Sequence, residues 1–398
     1  MPPDARNANN RDLILFFAAI ASLGFGGALV DSVFNNFLKD GFGADGLSRS
    51  ALEFPREIPG FLNAFVVAAL AFLPRRRIGA LAFVIQGAGI ALLGLFSPSW
   101  NLMTAWLFVY SLGQHIFLPL QSSIGMEVAG AGAEGARLGQ SNALRNIAQL
   151  SGGLMAFLGI RFLKLDYRSL FLSAAAVYVL GGIALAGMSV PPKGGPRTRL
   201  VLKKEYGLFY VLSVLYGTRK QLFLTFGPWV IVEVFGKGAG TMSMLYFIAG
   251  GAGVLCQPLI GKMVDRLGER TVLGLEAVFL VPVCLAYGFS KFIFPSDVAF
   301  VVASACYVAD SLLFSFGMAR ATYLKKTALS PGDVAPTLAM GVTIDHVFSI
   351  SVALAAGVVW KVLGFQWVFV LGALIATANF IATRFVRLPR PVSRPSKA

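Results

Sequence analysis

Apolar residues in this chain come in long runs rather than in short alternation with polar ones, and brief polar or proline-bearing breaks separate the runs. A helix of about twenty apolar residues spans the hydrocarbon of a bilayer. Open sheets and loops cannot replace it there, because their unpaired backbone groups find no water. Runs of this length predict helices near 13–38, 51–73, 78–96, 101–127, 137–162, 168–189, 206–234, 240–263, 271–290, 297–324, 335–361 and 366–386. Pro74, Pro98, Pro191 with Pro192, Pro295 and Pro331 with Gly332 mark many of the turns. The longest polar connection, Val190 to Glu205, is basic and rich in Pro and Gly, and it divides the spans into two sets of six. The pattern predicts an all-α integral membrane protein of about twelve transmembrane helices in two six-helix pseudo-repeats. The expected division is an N-terminal bundle over 1–190, a basic linker at 191–205, a C-terminal bundle over 206–390 and a basic tail at 391–398.

Composition supports this picture. Charged residues make up 13% of the chain and hydrophobic ones 56%, with mean hydropathy +0.72, whereas soluble domains carry roughly 25% charged residues. The net charge of +15 would suggest nucleic acid in a soluble protein. Here the positive residues sit mostly at helix ends, with no basic face and no aromatic-interleaved motif, so no nucleic-acid partner is expected. With the N-terminus placed in the cytoplasm, the inside segments hold clusters such as Arg75 to Arg77, Lys203 with Lys204, and Lys262, Arg266 and Arg270. These clusters outnumber the outside cations, among them Lys39, Arg49, Arg161 and Lys164, by more than two to one. The positive-inside rule then places both termini in the cytoplasm and the chain in a bacterial-type inner membrane. The polar N-terminus lacks a cleavage pattern, so the first run is expected to be a retained helix. Cys256, Cys284 and Cys306 lie in apolar segments without disulfide or metal spacing, and neither metal nor cofactor is expected.

The two sets of six invite a search for an internal repeat. Arg77 aligns with Arg266, Gly79 with Gly268, Tyr110 with Tyr307, and Arg145 with Asp345 at an offset of 200, all in the same order along the chain. Gly261, Asp265, Arg266, Gly268 and Arg270 follow the order Gly-x-x-x-Asp-Arg-x-Gly-x-Arg. This segment resembles the signature loop of the major facilitator superfamily. The resemblance implies a monomeric secondary transporter that moves a small molecule by alternating access, often with protons. It also implies that the first, fourth, seventh and tenth helices line a cavity, and that the loop's Asp and Arg join a cytoplasmic charge cluster remade during the cycle. The first half departs from the signature, with Arg76 at the Asp position and Phe72 at the first Gly. Antiporters of the family often carry Gly-Pro-x-x-Gly-Gly in the fifth helix. Here Gly152 and Gly153 keep the paired glycines, but Ala148 and Gln149 replace the Gly-Pro, which weakens an antiport reading.

A charge at bilayer mid-depth costs several kcal/mol unless it is paired or wet, so polar residues within the spans are functional candidates. Asn142, Arg145, Asn146 and Gln149 fall at i, i+3, i+4 and i+7 and share one face, suited to a cavity or to a polar helix seam. The first span offers Asp31 and Asn35; the fourth Gln114, His115 and Gln121; the seventh Arg219 and Lys220; the tenth Asp310; and the eleventh Asp345 and His346. His115 and His346 titrate near neutrality and are candidates for a coupling proton or for plain hydrogen bonding. Asp31 and Asp310 are alternatives, although Asp31 has a second reading as a partner of Arg49 or Lys39 near the outer mouth. Arg145, Arg219 and Lys220 suit a carboxylate- or phosphate-bearing substrate, or else they pair internally with Asp31, Asp310 or Asp345. Adjacent Arg219 and Lys220 cannot both face a cavity. The run from Glu53 to Gly60, with alternating charges and two prolines, reads either as an outer gate or as a paired helix start.

No Walker motif, zinc motif or long soluble insertion is present, which argues against ATP-driven transport and against an enzyme. A membrane enzyme would need a His, Asp or Glu cluster at one interface, and the two histidines are expected to lie far from such a cluster. A non-transporting receptor or assembly factor of the same fold is the other rival. The reading the sequence favours is proton-coupled efflux of a small organic molecule, with an organic-anion carrier or facilitator as the alternative.

Overall fold

The computed structural model describes residues 3–70, 73–129, 134–189, 202–330 and 333–387. Most of the predicted linker and the whole tail at 391–398 lie outside the described residues, as do the turn markers Pro191, Pro192, Pro331 and Gly332.

The described chain is helical throughout. The first half comprises α1 (Pro3–Phe42), α2 (Gly46–Ala51), α3 (Glu53–Ala69), α4 (Arg75–Leu95), α5 (Trp100–Glu127), α6 (Glu134–Phe162) and α7 (Tyr167–Ala186). The second comprises α8 (Gly207–Trp229), α9 (Ala239–Leu267), α10 (Glu269–Ile293), α11 (Ser296–Leu313), α12 (Met318–Thr327), α13 (Val334–Leu363) and α14 (Phe365–Thr383). Most predicted boundaries fall within a few residues of these. Three spans differ in form. The second is preceded by the short α2 and formed by α3, the seventh ends in a π turn at Val230–Val234, and the tenth is interrupted by a 3-10 turn at Phe314–Gly317.

Local chemistry explains several ends. Asp45 and Asp166 cap α2 and α7 by accepting the backbone N–H of Ser48 at 2.8 Å and of Ser169 at 2.9 Å. Hydrogen bonds from these serines hold both carboxyls below the usual carboxylate range. Gly268 and Gly364, at φ +79° and +100°, turn the chain between α9 and α10 and between α13 and α14 without a loop. Only glycine adopts that backbone without strain.

Among the described residues eight helices are long and apolar enough to cross a membrane: those at Asn10–Phe42, Arg75–Leu95, Tyr167–Ala186, Ala239–Leu267, Glu269–Ile293, Ser296–Thr327, Pro336–Leu363 and Phe365–Thr383. The long rods outside this set are α3, α5, α6 and α8. They carry the polar stripes of the sequence, and each contributes to the cavity described below. Large apolar side chains such as Leu255, Val362 and Leu180 stand exposed on the outside of the bundle, where hydrocarbon rather than water suits them.

The packing repeats. In the first half α1 packs on α6 and α7, α4 on α5 and α7, and α3 on α5. In the second, α8 packs on α13 and α14, α10 on α11 and α14, and α9 on α11. Across the halves, α6 lies against α9, and α13 against α2 and α3. The two halves thus share one packing scheme, related by a pseudo-two-fold. Arg145 in α6 and Asp345 in α13 occupy equivalent positions in it.

The halves meet toward the end of the bundle opposite the chain termini. There Asn36 Nδ2 donates to the Lys237 carbonyl at 2.9 Å, and Lys39 pairs with Glu233 at 3.9 Å. A Cβ added to Gly357 of α13 would lie 1.8 Å from Ser50 Oγ of α2, so only glycine permits that approach. At mid-depth Asn146 donates to Gln257 at 3.0 Å and His346 meets Glu57. At the termini face the pattern differs. Pairs there stay within one half, as with Arg75–Glu127 and Lys326–Glu269.

Candidate functional site

A cavity of about 320 Å³ lies between the bundles, lined from α1, α3, α5, α6, α8 and α13. Leu23, Val30, Phe34, Leu107, Phe117 and Leu224 form apolar wall. Of the residues singled out from the sequence, Asp31, Gln114, His115, Arg145, Gln149, Lys220, Asp345 and His346 reach this space. Asn35, Gln121, Asn142, Arg219 and Asp310 do not. The tenth predicted span contributes nothing to the lining, contrary to what the family resemblance implied; the second and the eleventh take part instead.

Each absence has a local reason. Asn35 is buried, and its Oδ1 accepts from Arg49 Nε at 2.7 Å. Arg219 turns into its own bundle, with NH1 2.6 Å from Asp310 Oδ1 and NH2 3.2 Å from Glu276 Oε1. The rings of Phe314 and Tyr216 lie 5.2 and 5.5 Å from its guanidinium carbon. Its neighbour Lys220 faces the cavity and pairs with Asp345 Oδ2 at 3.3 Å. The polar stripe of α6 divides, with Arg145 and Gln149 facing the cavity and Asn146 bonding across to Gln257 of α9. Gln121 is buried within α5, and Asn142 is exposed outside the lining.

The residue that sequence reasoning undervalued is Glu57. Leu52 keeps helical backbone angles between α2 and α3, and the charged run that follows it reaches the cavity wall at Arg56 and Glu57. Arg49 NH1 holds Glu53 Oε1 at 2.5 Å, and Glu53 Oε2 faces Arg56 Nε at 3.2 Å. Arg56 NH2 reaches Glu57 Oε1 at 3.5 Å. The other carboxylate oxygen of Glu57 lies 2.7 Å from His346 Nδ1 and 3.7 Å from His115 Nε2. A ladder of alternating charge thus runs from Arg49 to the cavity and ends on both histidines. The spacing of Glu53, Arg56, Glu57 and Gly60, at i, i+3, i+4 and i+7, is the one sequence signal that could have revealed this face.

The two histidines, far apart in the chain, meet here with ring centroids 5.5 Å apart. Gly60 gives them room, since a Cβ there would sit 2.7 Å from His115 Cδ2 and 3.4 Å from His346 Cε1. His115 Nδ1 lies 2.9 Å from the Ser111 carbonyl, which assigns the proton to Nδ1 and aims Nε2 at Glu57. Ser111 in turn bonds the Arg56 carbonyl, which ties α5 to α3. The ligand atoms of Glu57, His115 and His346 lie within 4.8 Å of one another, so they could converge on a single cation. Tetrahedral zinc at about 2.0–2.1 Å from its ligands would hold those atoms roughly 3.3 Å apart. The 2.7 Å between His346 and Glu57 is instead a hydrogen-bond distance, suited to a proton.

Among the described residues, two cavity charges have no partner. Arg145 forms no ion pair among the described residues, and its Nε is buried without a hydrogen bond. Asp31 is exposed to the cavity and among the described residues has neither a hydrogen bond nor an ion pair, so the suggested contacts with Arg49 and Lys39 are not made. At the signature loop, Asp265, Arg266 and Arg270 are exposed and Gly261 is half-buried in the last turns of α9. Gly268 makes the turn described above. The corner contact falls to buried Glu269, 2.5 Å from Lys326 at the end of α12, in place of a cluster around Asp265 and Arg266.

The family profile described as Major Facilitator Superfamily matches residues 16–343. The structure is similar to the nucleoside transporter NupG, with TM-score 0.73 and 15% identity over 95% of this chain and 98% of that one. It is similar to a D-xylose-proton symporter, with TM-score 0.70 and 17% identity over 94% and 98%. It is also similar to a bacterial homologue of the human lysosomal transporter Spinster in an inward-facing, unoccupied conformation, with TM-score 0.71 and 15% identity over 97% and 98%. At such identities the likeness is one of fold. No curated protein matches the sequence.

Proposed function

This chain belongs to the major facilitator superfamily, and we propose that it works as a monomeric, proton-coupled secondary transporter of a small organic molecule in the inner membrane. The observation that carries this reading is the Glu57–His346 contact, which joins the two halves at the wall of the cavity between them. Lys and Arg clusters at the termini face support a cytoplasmic placement of both termini. With that orientation the polar contacts between the halves lie on the outer side and at mid-depth, which supports an inward-facing reading.

The coupling follows from electrostatics. A charged Glu57 holds Arg56 of its own helix and His346 of the opposite half. A proton arriving on Glu57 removes the charge both partners were attracted to, and the outer side is free to open. His115 stands second to Glu57 and can take the proton onward. The cavity can then exchange solute with one side at a time.

Proteoliposomes carrying a pH dye test the reading. A solute that drives proton movement in the wild type should lose that movement in Glu57→Gln while still exchanging by counterflow. Undiminished solute-driven proton flux in Glu57→Gln would refute the coupling role. Export predicts accumulation in everted vesicles with an acid interior; accumulation in right-side-out vesicles under an outward-acid gradient would establish uptake. A protein that binds solute and never exchanges it would be the non-transporting receptor.

A further inference from the structure

Six cavity residues carry formal charge, and four of them are satisfied by protein. Lys220 holds Asp345 at 3.3 Å, and Ser349 also donates to that acid at 3.2 Å. Arg56 lies between Glu53 and Glu57, and Glu57 also meets His346. Arg145 and Asp31 remain, one cation and one anion, on the neighbouring helices α6 and α1.

These two do not neutralise each other. Gly24 of α1 is level with Arg145, since a Cβ on it would lie 2.4 Å from the Arg145 carbonyl. Asp31 stands seven residues further along the same helix, which is about 10 Å at the α-helical rise. No ion pair forms across that gap among the described residues. Arg49 and Arg56 act on Asp31 at longer range, but each already holds an acid. An uncompensated charge is costly at this depth, and here two of opposite sign face one space. A solute with a single anionic group would leave Asp31 bare, and one with a single cationic group would leave Arg145 bare. A solute with both satisfies the pair and fills the gap.

We propose that the substrate is a small zwitterion, its carboxylate or phosphate taken by Arg145 and its ammonium group by Asp31. The Arg145 guanidinium suits a two-point contact with an oxyanion, and Gln149, one turn away on α6, lines the same cavity beside it. Phe34 and Val30, flanking Asp31 on α1, offer apolar wall to the body of such a molecule. A cavity of about 320 Å³ suits an amino acid or a dipeptide rather than a large amphiphile. The inference rests on the carrier reading only in calling the ligand a substrate; the binding chemistry stands without it.

The test is binding to the purified full-length protein by calorimetry or thermal shift. The probes are phenylalanine and glycylphenylalanine, with phenethylamine and 3-phenylpropanoate as analogues lacking one charge. The wild type should bind at least one zwitterion on the order of tenfold or more tightly than either analogue, since each charge-assisted contact is worth about a decade in Kd. Arg145→Gln should bind phenethylamine as well as the zwitterion, and Asp31→Asn should do the same for 3-phenylpropanoate. Arg145→Lys, which keeps the charge, should retain part of the preference and shows that loss in Arg145→Gln is not misfolding. Binding of 3-phenylpropanoate to the wild type as tightly as either zwitterion would overturn the proposal. So would binding of neither zwitterion, or a zwitterion preference unchanged in both charge-removing variants. Tracer counterflow in proteoliposomes separates this inference from the carrier reading. The expected binding pattern without counterflow refutes transport and leaves the ligand class standing. Counterflow of an uncharged solute, indifferent to both substitutions, does the reverse.

Discussion

Arg145 and Arg219 are both arginines within the helical bundle, one in each half of a pseudo-symmetric frame, and their surroundings are opposite. Arg219 is 2% exposed and held by Asp310, Glu276 and two aromatic rings. Arg145 has no acid beside it and faces the cavity. The symmetry-equivalent position of Arg145 is Asp345, which faces the same cavity and is already taken by Lys220. A buried charge persists cheaply only where the protein supplies its counter-charge. The second half supplies it for Arg219 and Lys220. The first half leaves Arg145 and Asp31 open, and that asymmetry distinguishes scaffold from binding surface within one fold.

The largest expected effect follows from removing each arginine. Arg219→Leu strands Asp310 and Glu276 in the bundle, and breaking a buried pair in this way costs about 3–5 kcal/mol. The melting temperature in detergent and the yield of monodisperse protein should both fall sharply. Arg145→Gln removes a charge with no partner among the described residues, so its melting temperature should stay close to wild type while its preference for a zwitterion over phenethylamine is lost. Equal destabilisation by the two substitutions would break the comparison. Replacing Arg219, Asp310 and Glu276 together by apolar residues of similar volume should restore much of the lost stability.

The helices were legible because the length of an apolar run and the position of its breakers are local properties, and the repeat was legible because Arg145 and Asp345 keep a fixed offset in α6 and α13. The pairings of Arg219 with Asp310 and of Lys220 with Asp345 were among the alternatives that charge alone allowed, but charge did not choose between them. Glu276 as the third member was not foreseen, since one acid in an apolar run has no periodicity to betray it. The meeting of His115, His346 and Glu57 has no counterpart in local sequence: it joins α5, α13 and α3 across the two halves. The depth of Glu57 depends on the packing of α2 and α3 against α13, which a hydropathy window does not see.

The glycines under the equivalent pair sharpen the contrast. A Cβ on Gly24 would meet the backbone carbonyl of Arg145 at 2.4 Å, and one on Gly217 would meet the carboxylate of Asp345, with Oδ1 at 1.2 Å. Backbone cannot step aside, so Gly24→Ala must push α1 and α6 apart, at about 1–3 kcal/mol for overpacking. A carboxylate can rotate, so Gly217→Ala should cost less stability and instead move Asp345 off Lys220. Melting temperatures should rank Gly24→Ala below Gly217→Ala. Only the second should free Lys220 to attract added anions, read as tighter binding of 3-phenylpropanoate. The opposite ranking would mean that the second crossing is the tighter packed of the two.

The smallest effect concerns the corner pairs at the termini face, where the halves are alike in position and inverted in sign. Arg75 at the start of α4 pairs with Glu127 at the end of α5, and Glu269 at the start of α10 pairs with Lys326 at the end of α12. An anion suits a helix N-terminus and a cation suits a C-terminus, by about 0.3–1 kcal/mol each. The second half therefore has its pair in the favourable polarity and the first half in the unfavourable one. Exchanging the partners in the first half, Arg75→Glu with Glu127→Arg, should keep the pair and raise the melting temperature slightly. The matching exchange in the second half, Glu269→Lys with Lys326→Glu, should lower it, and by more, because Glu269 is fully buried and a lysine there would have to be buried in its place. A gain in both exchanges, or a loss in both, would show that local packing rather than helix polarity sets these corners.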